Sequence, residues 1–463
     1  MSIDPRDFTV DLLSAGFASG DLSPVEVTQA CLDQISAQDG LLRAFTRIDP
    51  EGSLASARAS EQRWRSGDSL GPLDGVPTSI KDLVMVKGWA TLKGSPHIDP
   101  AELATESSPV TQSLLDAGVV LVGKTTTPES GWKGLTDSPI SDITRNPWDS
   151  ALTAGGSSGG AAVAAATGMA VLNVGTDGGG SIRIPAGLCG VFGIKPTQAL
   201  IPLYPPGVSG LLSHLGPITR TVRDTAHMMS VIARPSPREI YPTQRDNTSW
   251  IDEIDDGIAG LRVAYSPRYG DADVDPQIAA AVERTVNLMA DLGAIVEPAE
   301  PNMPPTRDAF LTLWDAAIGR ALTGVPESDW HKSDPGLVET HIRGMRISAQ
   351  QFLDADAVRA QATLAINDLL SRYDVLVSPQ LPLVAFPVGS DVADPTTQTH
   401  WVDWTPFTYP INMTRHPAAT VPVGLSREGL PMALQIVGAH FADRQVLRVA
   451  RTLELSQPFP RLP

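Results

Sequence analysis

The chain has 463 residues, of which 42% are hydrophobic and 19% charged, a composition typical of a soluble globular protein with a sizeable core. A formal net charge of −17 repels phosphate backbones and anionic lipid surfaces, which argues against nucleic-acid and membrane partners and favours neutral or cationic small molecules. The two cysteines, Cys31 and Cys189, are too few for a disulfide framework, so we expect a reducing compartment, the cytoplasm.

The sequence contains no pattern of an export signal or a membrane span. Its N-terminus mixes acidic and basic residues where a signal peptide needs a basic start followed by an apolar core. The longest apolar stretch, residues 161–174, is shorter than the roughly 20 residues that cross a bilayer.

Residues 1–70 are predicted to form a helical N-terminal layer. Ser23, Pro24 and Glu26 make a capping box with proline at the first helical position, and apolar residues recur at helical spacing through Ile35. From residue 71 to about 197, short apolar runs alternate with helical segments, one of which ends near Asp116. The runs lie at 119–122, 171–174 and 191–194. This alternation is typical of an α/β sheet covered by helices.

The second half of the chain changes character at about residue 235. Pro-rich connections in 235–348 surround a predicted helix at 276–292, a strand at 294–297 and a Trp-containing helix near 310–322, which suggests an insertion or lid. A long helix at 349–372 then leads into three predicted strands, at 374–379, 418–423 and 432–437. The sheet is therefore predicted to contain strands from both ends of the chain.

Two short motifs match functions that their context contradicts. Residues 118–125, GVVLVGKT, fit the P-loop pattern, but the four residues between the glycines form an apolar strand-like run instead of a phosphate-binding loop. Residues 156–160, GSSGG, fit the nucleophile elbow of α/β-hydrolases with Ser158 as nucleophile and His416 or His440 as base. The elbow needs a strand directly before the serine, and residues 146–154 do not read as one.

A second glycine-rich segment follows at residues 175–185, GTDGGGSIRIP. Three glycines before Ser181 allow successive backbone N–H groups to converge on one point, which is what an oxyanion hole requires. Ser181 is thus a candidate nucleophile.

Taken together, GGSSGG, GTDGGGSIRIPA and GIKPT resemble the amidase signature family. The resemblance covers nearly the whole chain, because several further segments match in order: GPLDGVP at 71–77, SIKD at 79–82, TRNPW at 144–148, HPAA at 416–419 and LQIVG at 434–438. It implies one α/β domain over residues 1–463, with a mixed central sheet between helices on both faces. Within it we distinguish the helical layer 1–70, a catalytic core 71–230, a variable insertion or lid 235–348 and a C-terminal part 349–463 that completes the sheet.

The resemblance also implies the roles of individual residues. Ser181 is the nucleophile, Ser157 is a bridging serine in a cis peptide, and Lys81 is the base. Supporting roles fall to Ser158, Asp177 and Arg183, and the oxyanion hole is assigned to the N–H groups of Gly178, Gly179, Gly180 and Ser181. No metal and no organic cofactor is implied.

A lysine base must be neutral, and an unperturbed lysine, with a pKa of about 10.4, is neutral in only about one molecule in two to three thousand at pH 7. Burial lowers the pKa of lysine. Lys81 follows Ile80 and precedes Leu83 and Val84, so a buried position is expected. The alternative is a surface lysine paired with the neighbouring Asp82.

The sequence departs from the family pattern at three positions. Gly178 stands where a larger residue is usual, which suggests a looser oxyanion turn, and Ala154 stands where proline is common. Arg415 replaces a usual glycine, which makes its side chain a candidate for the pocket wall. Arg415 and Trp132 are therefore candidate substrate-binding residues. Apolar and aromatic segments at 203–212, 310–314 and 401–409 suit a hydrophobic or aryl acyl group.

Three functions remain open from the sequence. The first is a free-standing hydrolase of a small hydrophobic or aryl carboxylic amide, with ester or hydrazide side activity, and the second is the glutaminase subunit of a tRNA-dependent amidotransferase. The third is a non-catalytic binding protein on the same fold, which the presence of all three triad residues argues against. A homodimer is an option for any of them.

Overall fold

The computed structural model describes residues 4–241, 248–269 and 272–463. The helices in these ranges are α1 Val10–Ser19, α2 Pro24–Leu42, α3 Pro50–Ser66, α4 Pro109–Asp116, α5 Gly159–Thr167, α6 Arg183–Cys189, α7 Val222–Ile232, α8 Pro276–Asp291, α9 Arg307–Ile318, α10 Pro335–Gly344, α11 Ala349–Leu370, α12 Tyr409–Thr414 and α13 Asp443–Ser456. The strands are β1 Phe45–Ile48, β2 Pro77–Lys81, β3 Val120–Thr125, β4 Leu172–Asp177, β5 Phe192–Lys195, β6 His214–Thr219, β7 Arg262–Tyr265, β8 Ile295–Pro298, β9 Val375–Pro379, β10 Ala418–Leu425 and β11 Pro431–Gly438. No described helix is both long and apolar enough to cross a bilayer.

All eleven of these strands form one mixed sheet, in the order β1-β3-β2-β4-β6-β5-β10-β11-β9-β7-β8. Strand β2 runs parallel to β3 and β4, whereas the strands from β4 through β9 pair antiparallel in the centre of the sheet. Helices cover the sheet within a single domain, and this confirms the predicted fold class.

The N-terminal layer is helical except for one strand. Ser23 caps α2 by accepting the backbone N–H groups of Val25 and Glu26, as the capping pattern predicts. Between α2 and α3, strand β1 pairs antiparallel with β3 at the sheet edge. A run of four residues with a single buried side chain carries little strand periodicity, and the sequence analysis missed it.

Strands from both ends of the chain meet in the sheet, as predicted. Strand β10 lies between β5 and β11, and its residue Ala418 pairs with Lys195 of the GIKPT segment. The 235–348 region supplies β7 and β8 at the opposite edge from β1, where β7 runs parallel to β9. Part of this region therefore belongs to the main sheet, and its role as a lid stays a prediction.

The segment that matches the P-loop pattern is a buried strand. Residues 120–125 form β3, so no loop separates the two glycines. Lys124, the lysine of that pattern, lies 2.7 Å from the carboxylate of Asp82 and donates to the carbonyl of Ala90. The amine is therefore neutralised inside the protein, in agreement with the rejection of nucleotide binding.

Candidate active site

The candidate site lies at the carboxyl ends of two neighbouring parallel strands. Ile80 of β2 pairs with Val174 of β4, which brings Lys81 beside Thr176 and the glycine turn that follows Asp177. A cavity of about 330 Å³ opens at this edge and is lined by Ser157, Ser181, Thr176 and Gly178 among others. The strand register thus brings together the predicted lysine and both predicted serines.

Lys81 is fully buried and surrounded by hydroxyl groups. Its Nζ lies 2.7 Å from Ser157 Oγ and 2.9 Å from both Ser158 Oγ and Thr176 Oγ1. Burial lowers the pKa of Lys81 well below its ordinary value, and the negative charge of Asp177 opposes this only in part. The surface ion pair with Asp82 does not form, because that carboxylate pairs with Lys124.

Ser157 follows a cis peptide bond to Gly156, as the family resemblance implies. Ser158 is tied to strand β4: its hydroxyl donates to the carbonyl of Thr176 at 3.0 Å and accepts the N–H of Thr176 at 3.2 Å. The backbone N–H of Ser158 also donates to the carbonyl of Ser181 at 3.1 Å. This one residue therefore joins the serine loop, the strand and the glycine turn.

The two histidines of the elbow hypothesis lie in other contacts. His416 and His440 stack on each other with ring centroids 3.8 Å apart. Their Nε2 atoms bond to Asn367 Oδ1 and to the carbonyl of Thr414. In the described part of the chain neither ring bonds to Ser158, so the structure provides no histidine base for an elbow serine.

The glycine turn is held from inside by Asp177. The N–H of Gly180 donates to Asp177 Oδ1 at 2.7 Å, and Gly180 adopts a φ of 128°, a conformation that favours glycine. Among the described residues, the N–H groups of Gly178, Gly179 and Ser181 have no protein acceptor. Three amides of the turn are therefore available to a ligand, and the fourth is engaged by the carboxylate.

A buried ion pair anchors this turn to the C-terminal part of the chain. Arg183 donates to both carboxylate oxygens of Asp177 at 3.0 Å. It also bonds to Asn412 Oδ1, to Gln435 Oε1 and to the carbonyl of Thr408. Burial alone would raise the pKa of Asp177, but the charge and hydrogen bonds of Arg183 outweigh it and hold that pKa below its usual range. The sequence analysis identified the pair and missed its three distant partners, which carry no local motif.

Apolar side chains make up most of the cavity wall. They are Leu83, Val84, Met85, Ile98, Leu103, Leu203, Val208, Leu215, Trp314 and Ile318. Of the predicted apolar segments, 203–212 lines the cavity in part and 310–314 contributes Trp314, whereas Trp401 and Trp404 of 401–409 are buried in the core behind it. The wall from residues 83 to 108 was not predicted, because nothing in its sequence distinguishes a pocket lining from a surface loop.

Neither of the two predicted substrate-binding residues lines this cavity. Trp132 is a core residue with 3% exposure, and its ring packs on the Cα of Gly336. Arg415 ends α12 with a φ of 63°, and its guanidinium lies 5.5 Å from the ring of Tyr241. That left-handed backbone is the reason a glycine suits position 415.

Gly178 is closely packed, contrary to the looser turn expected from the sequence. A side chain at this position would collide with the hydroxyl of Ser209 and approach Trp314 to 2.9 Å. A side chain at Gly179 would likewise meet Trp401 at 2.7 Å and Phe310 at 2.9 Å. The aromatic cluster thus fills the volume that larger residues would take.

An amine held against serine hydroxyls in a closed cavity fits the class of enzymes that use an activated serine. The Amidase family model matches residues 26–447, and the chain belongs to the amidase signature family of amide-hydrolysing enzymes. It is 36% identical to the acylamidase of Rhodococcus erythropolis over 458 residues, which are 96% of this chain and 95% of that protein.

Two further relatives differ in their described roles. A subunit of the glutamyl-tRNA(Gln) amidotransferase of Chloroflexus aurantiacus is 35% identical over 485 residues, with 98% of each chain covered. The crystal structure of a bacterial aryl acylamidase of the amidase signature family superimposes with a TM-score of 0.91 at 29% identity, covering 97% of this chain and 96% of that one. Relatives of both kinds are similarly close, so family membership alone leaves the substrate open.

Proposed function

We propose that the protein hydrolyses a small hydrophobic or aryl carboxylic amide to a carboxylate and ammonia or an amine, through an acyl intermediate on Ser181. The observation that carries this proposal is the 2.7 Å contact between Lys81 Nζ and Ser157 Oγ in a buried site whose cavity also contains Ser181. Lys81 is the base, Ser157 relays the proton and Ser181 forms the bond.

Hydrogen-bond donors and acceptors around Lys81 favour this direction of proton transfer. A neutral amine has two protons and one lone pair. The proton of Ser158 is donated to the carbonyl of Thr176, so the Ser158 hydroxyl can only accept from Lys81. When Thr176 Oγ1 accepts the second proton, the lone pair faces Ser157. Ser157 then gives its proton to Lys81 and takes that of Ser181.

The attack of Ser181 on the amide carbon places a negative charge on the carbonyl oxygen. The N–H groups of Gly178, Gly179 and Ser181 would stabilise that charge. Gly180 was expected to contribute a fourth donor, but its N–H is engaged by Asp177, so we assign it to the shape of the turn.

Collapse of the tetrahedral intermediate breaks the C–N bond, and the proton held by Lys81 returns through Ser157 to the departing nitrogen. Water then attacks the acyl ester of Ser181 by the same relay, releasing the carboxylate and restoring the free serine. An ester or hydrazide would react through the same steps, which is the basis for the proposed side activities.

The apolar walls of the cavity support a hydrophobic or aryl acyl group, as does the similarity to an acylamidase and an aryl acylamidase. A glutaminase function is the second candidate. Lys93 and Glu102 also line the cavity, and such a pair of charges suits the carboxylate and ammonium of glutamine. Residence in the cytoplasm and a homodimeric state stay predictions.

Labelling with a small fluorophosphonate, followed by peptide mapping, tests the site. We expect one adduct, on Ser181, and none in the Lys81→Ala variant within the same time. Ser181→Ala should abolish amide hydrolysis with an unchanged circular dichroism spectrum. An adduct on Ser158, or substantial turnover by Ser181→Ala, would contradict the assignment.

Assays of the purified chain separate the candidate functions. A free-standing amidase hydrolyses phenylacetamide and anilides without any partner, whereas a glutaminase subunit prefers glutamine and gains activity from its partner subunits. A non-catalytic protein would give neither turnover nor labelling.

A further inference from the structure

Two serines next to the glycine turn have no part in the proposed proton relay. Ser209 and Ser213 both line the active-site cavity, each with 8% exposure, and their hydroxyl oxygens lie 2.6 Å apart. Ser209 occupies the space that a side chain at Gly178 would need. A polar pair therefore lies in direct contact with the residue that supplies the first amide of the turn.

The local backbone fixes this pair without using its hydroxyls. Ser209 precedes the short 3-10 helix Gly210–Leu212, and its carbonyl accepts the N–H of Leu212 while the N–H of Ser213 donates to Gly210. A serine at such a position usually caps the turn with its side chain, but the Ser209 hydroxyl makes no cap. The structural role of an N-cap thus does not explain it.

Counting protons shows what the pair can offer. Two hydroxyls carry two protons, and their mutual hydrogen bond uses one. Neither oxygen has another protein partner among the described residues, so one proton and several lone pairs remain for a ligand in the cavity. Buried hydroxyls rarely stay unpaired, which makes a substrate group their natural partner.

We infer that Ser209 and Ser213 are specificity-determining residues that hydrogen-bond a heteroatom on the carbon next to the scissile carbonyl. The inference rests on the proposed function, in which the carbonyl oxygen lies against the amides of Gly178 and its neighbours. Ser209 is flanked by Val208, and Trp314 also touches Gly178, so the pair belongs to the wall that the acyl group contacts. The favoured substrates are amides of α-hydroxy or α-alkoxy acids.

A matched pair of amides tests the inference. Mandelamide, assayed as each enantiomer, differs from phenylacetamide only by the α-hydroxyl. In Ser209→Ala, kcat/KM for the preferred mandelamide enantiomer should fall about five- to tenfold, while that for phenylacetamide stays within about twofold. Ser209→Cys, with nearly the same volume and a weaker donor, should show the same selective loss. Ser230→Ala, on the exposed side of α7 and bonded to the carbonyl of Ala226, is the control and should change neither rate.

Equal effects on both amides, or no effect on either, in a folded Ser209→Ala or Ser209→Cys variant would overturn the inference and leave the proposed function intact. Failure of the wild-type enzyme to hydrolyse either amide would overturn both, because the inferred contact needs an acyl group of this class.

Discussion

The side chain of Lys81 shows how a local environment turns an ordinary residue into a base. Its apolar neighbours in sequence indicated burial, and the structure confirms it. The hydroxyls of Ser158 and Thr176, which direct the amine toward Ser157, come from two other segments. Their distances depend on strand register, which a single sequence does not specify to within an ångström.

The lowered pKa of Lys81 predicts the pH dependence of the reaction. Only the neutral amine accepts a proton, so kcat/KM for an uncharged amide should rise with pH until the lowered pKa is passed and then stay level. An unperturbed lysine would instead give a rise of about tenfold per pH unit up to about pH 10. A pH–rate profile from about pH 5 to pH 10 checks this, and a continued rise to pH 10 would contradict it.

Lys195 is the control for that profile. This second buried amine donates to the carbonyls of His416 and Pro196, and burial together with the charge of Arg183 lowers the pKa of Lys195 to about 7. If Lys81 alone sets the profile, a folded Lys195→Met variant should retain its shape. Loss of the acidic limb in that variant would assign the titration to Lys195.

At the scale of single elements, the glycine turn and helix α6 form a unit that depends on one ion pair. Arg183, at the first position of α6, holds Asp177, and Asp177 holds Gly180. The motif GTDGGGSIRIPA indicated these members because they are close in sequence. The supporting residues of α12 and β11 could not be predicted, since their side chains reach Arg183 only after the sheet has formed.

Removal of the arginine should therefore destabilise the whole protein. In Arg183→Met the carboxylate of Asp177 is left buried without its counter-charge, at a cost of about 3–5 kcal/mol in the free energy of unfolding. Urea denaturation measures this loss. Arg461→Met, which breaks a largely exposed pair with Asp7, should change the same quantity by less than about 1 kcal/mol. Similar effects of the two variants would show that the buried pair is not an anchor.

Helix α5 gives an independent prediction about packing. All of its residues are buried, and a side chain at Gly160 would collide with the carbonyl of Ala44 and with Thr126. Gly160→Ala should lower the free energy of unfolding by about 1–3 kcal/mol. Gly40→Ala, on the exposed side of α2 with no atom near the added methyl group, should raise it by about 0.5–1 kcal/mol. Thermal denaturation of the two variants should give shifts of opposite sign.

At the scale of the whole molecule, composition and alternating apolar runs were enough to predict a mixed sheet covered by helices. The strand order was not predictable from the residues alone, because β10 inserts beside β5 across a large sequence separation. The same limit applied to the pocket. Its walls come from loops far apart in the chain, which explains why Trp132 and Arg415 were wrongly expected there.

The net charge of −17 predicts how the enzyme discriminates between substrates of different charge. An anionic amide is repelled by the molecular field, and salt screens that repulsion over a Debye length of about 10 Å at 0.1 M. Raising the ionic strength from about 10 mM to 200 mM should therefore increase kcat/KM for a carboxylate-bearing amide about two- to tenfold. For a neutral isostere it should change little, and a decrease for the anionic amide would contradict the prediction.

The distance along the chain between Arg183 and its partners has a consequence for biosynthesis. Gln435 is 252 residues beyond Arg183, so at about 5–20 residues per second a ribosome needs about 10–50 s to synthesise the interval. Throughout that time the emerging arginine lacks its C-terminal contacts, and β5 lacks its neighbour β10. The nascent chain should therefore remain without activity, and dependent on chaperones, until its last strands have left the ribosome.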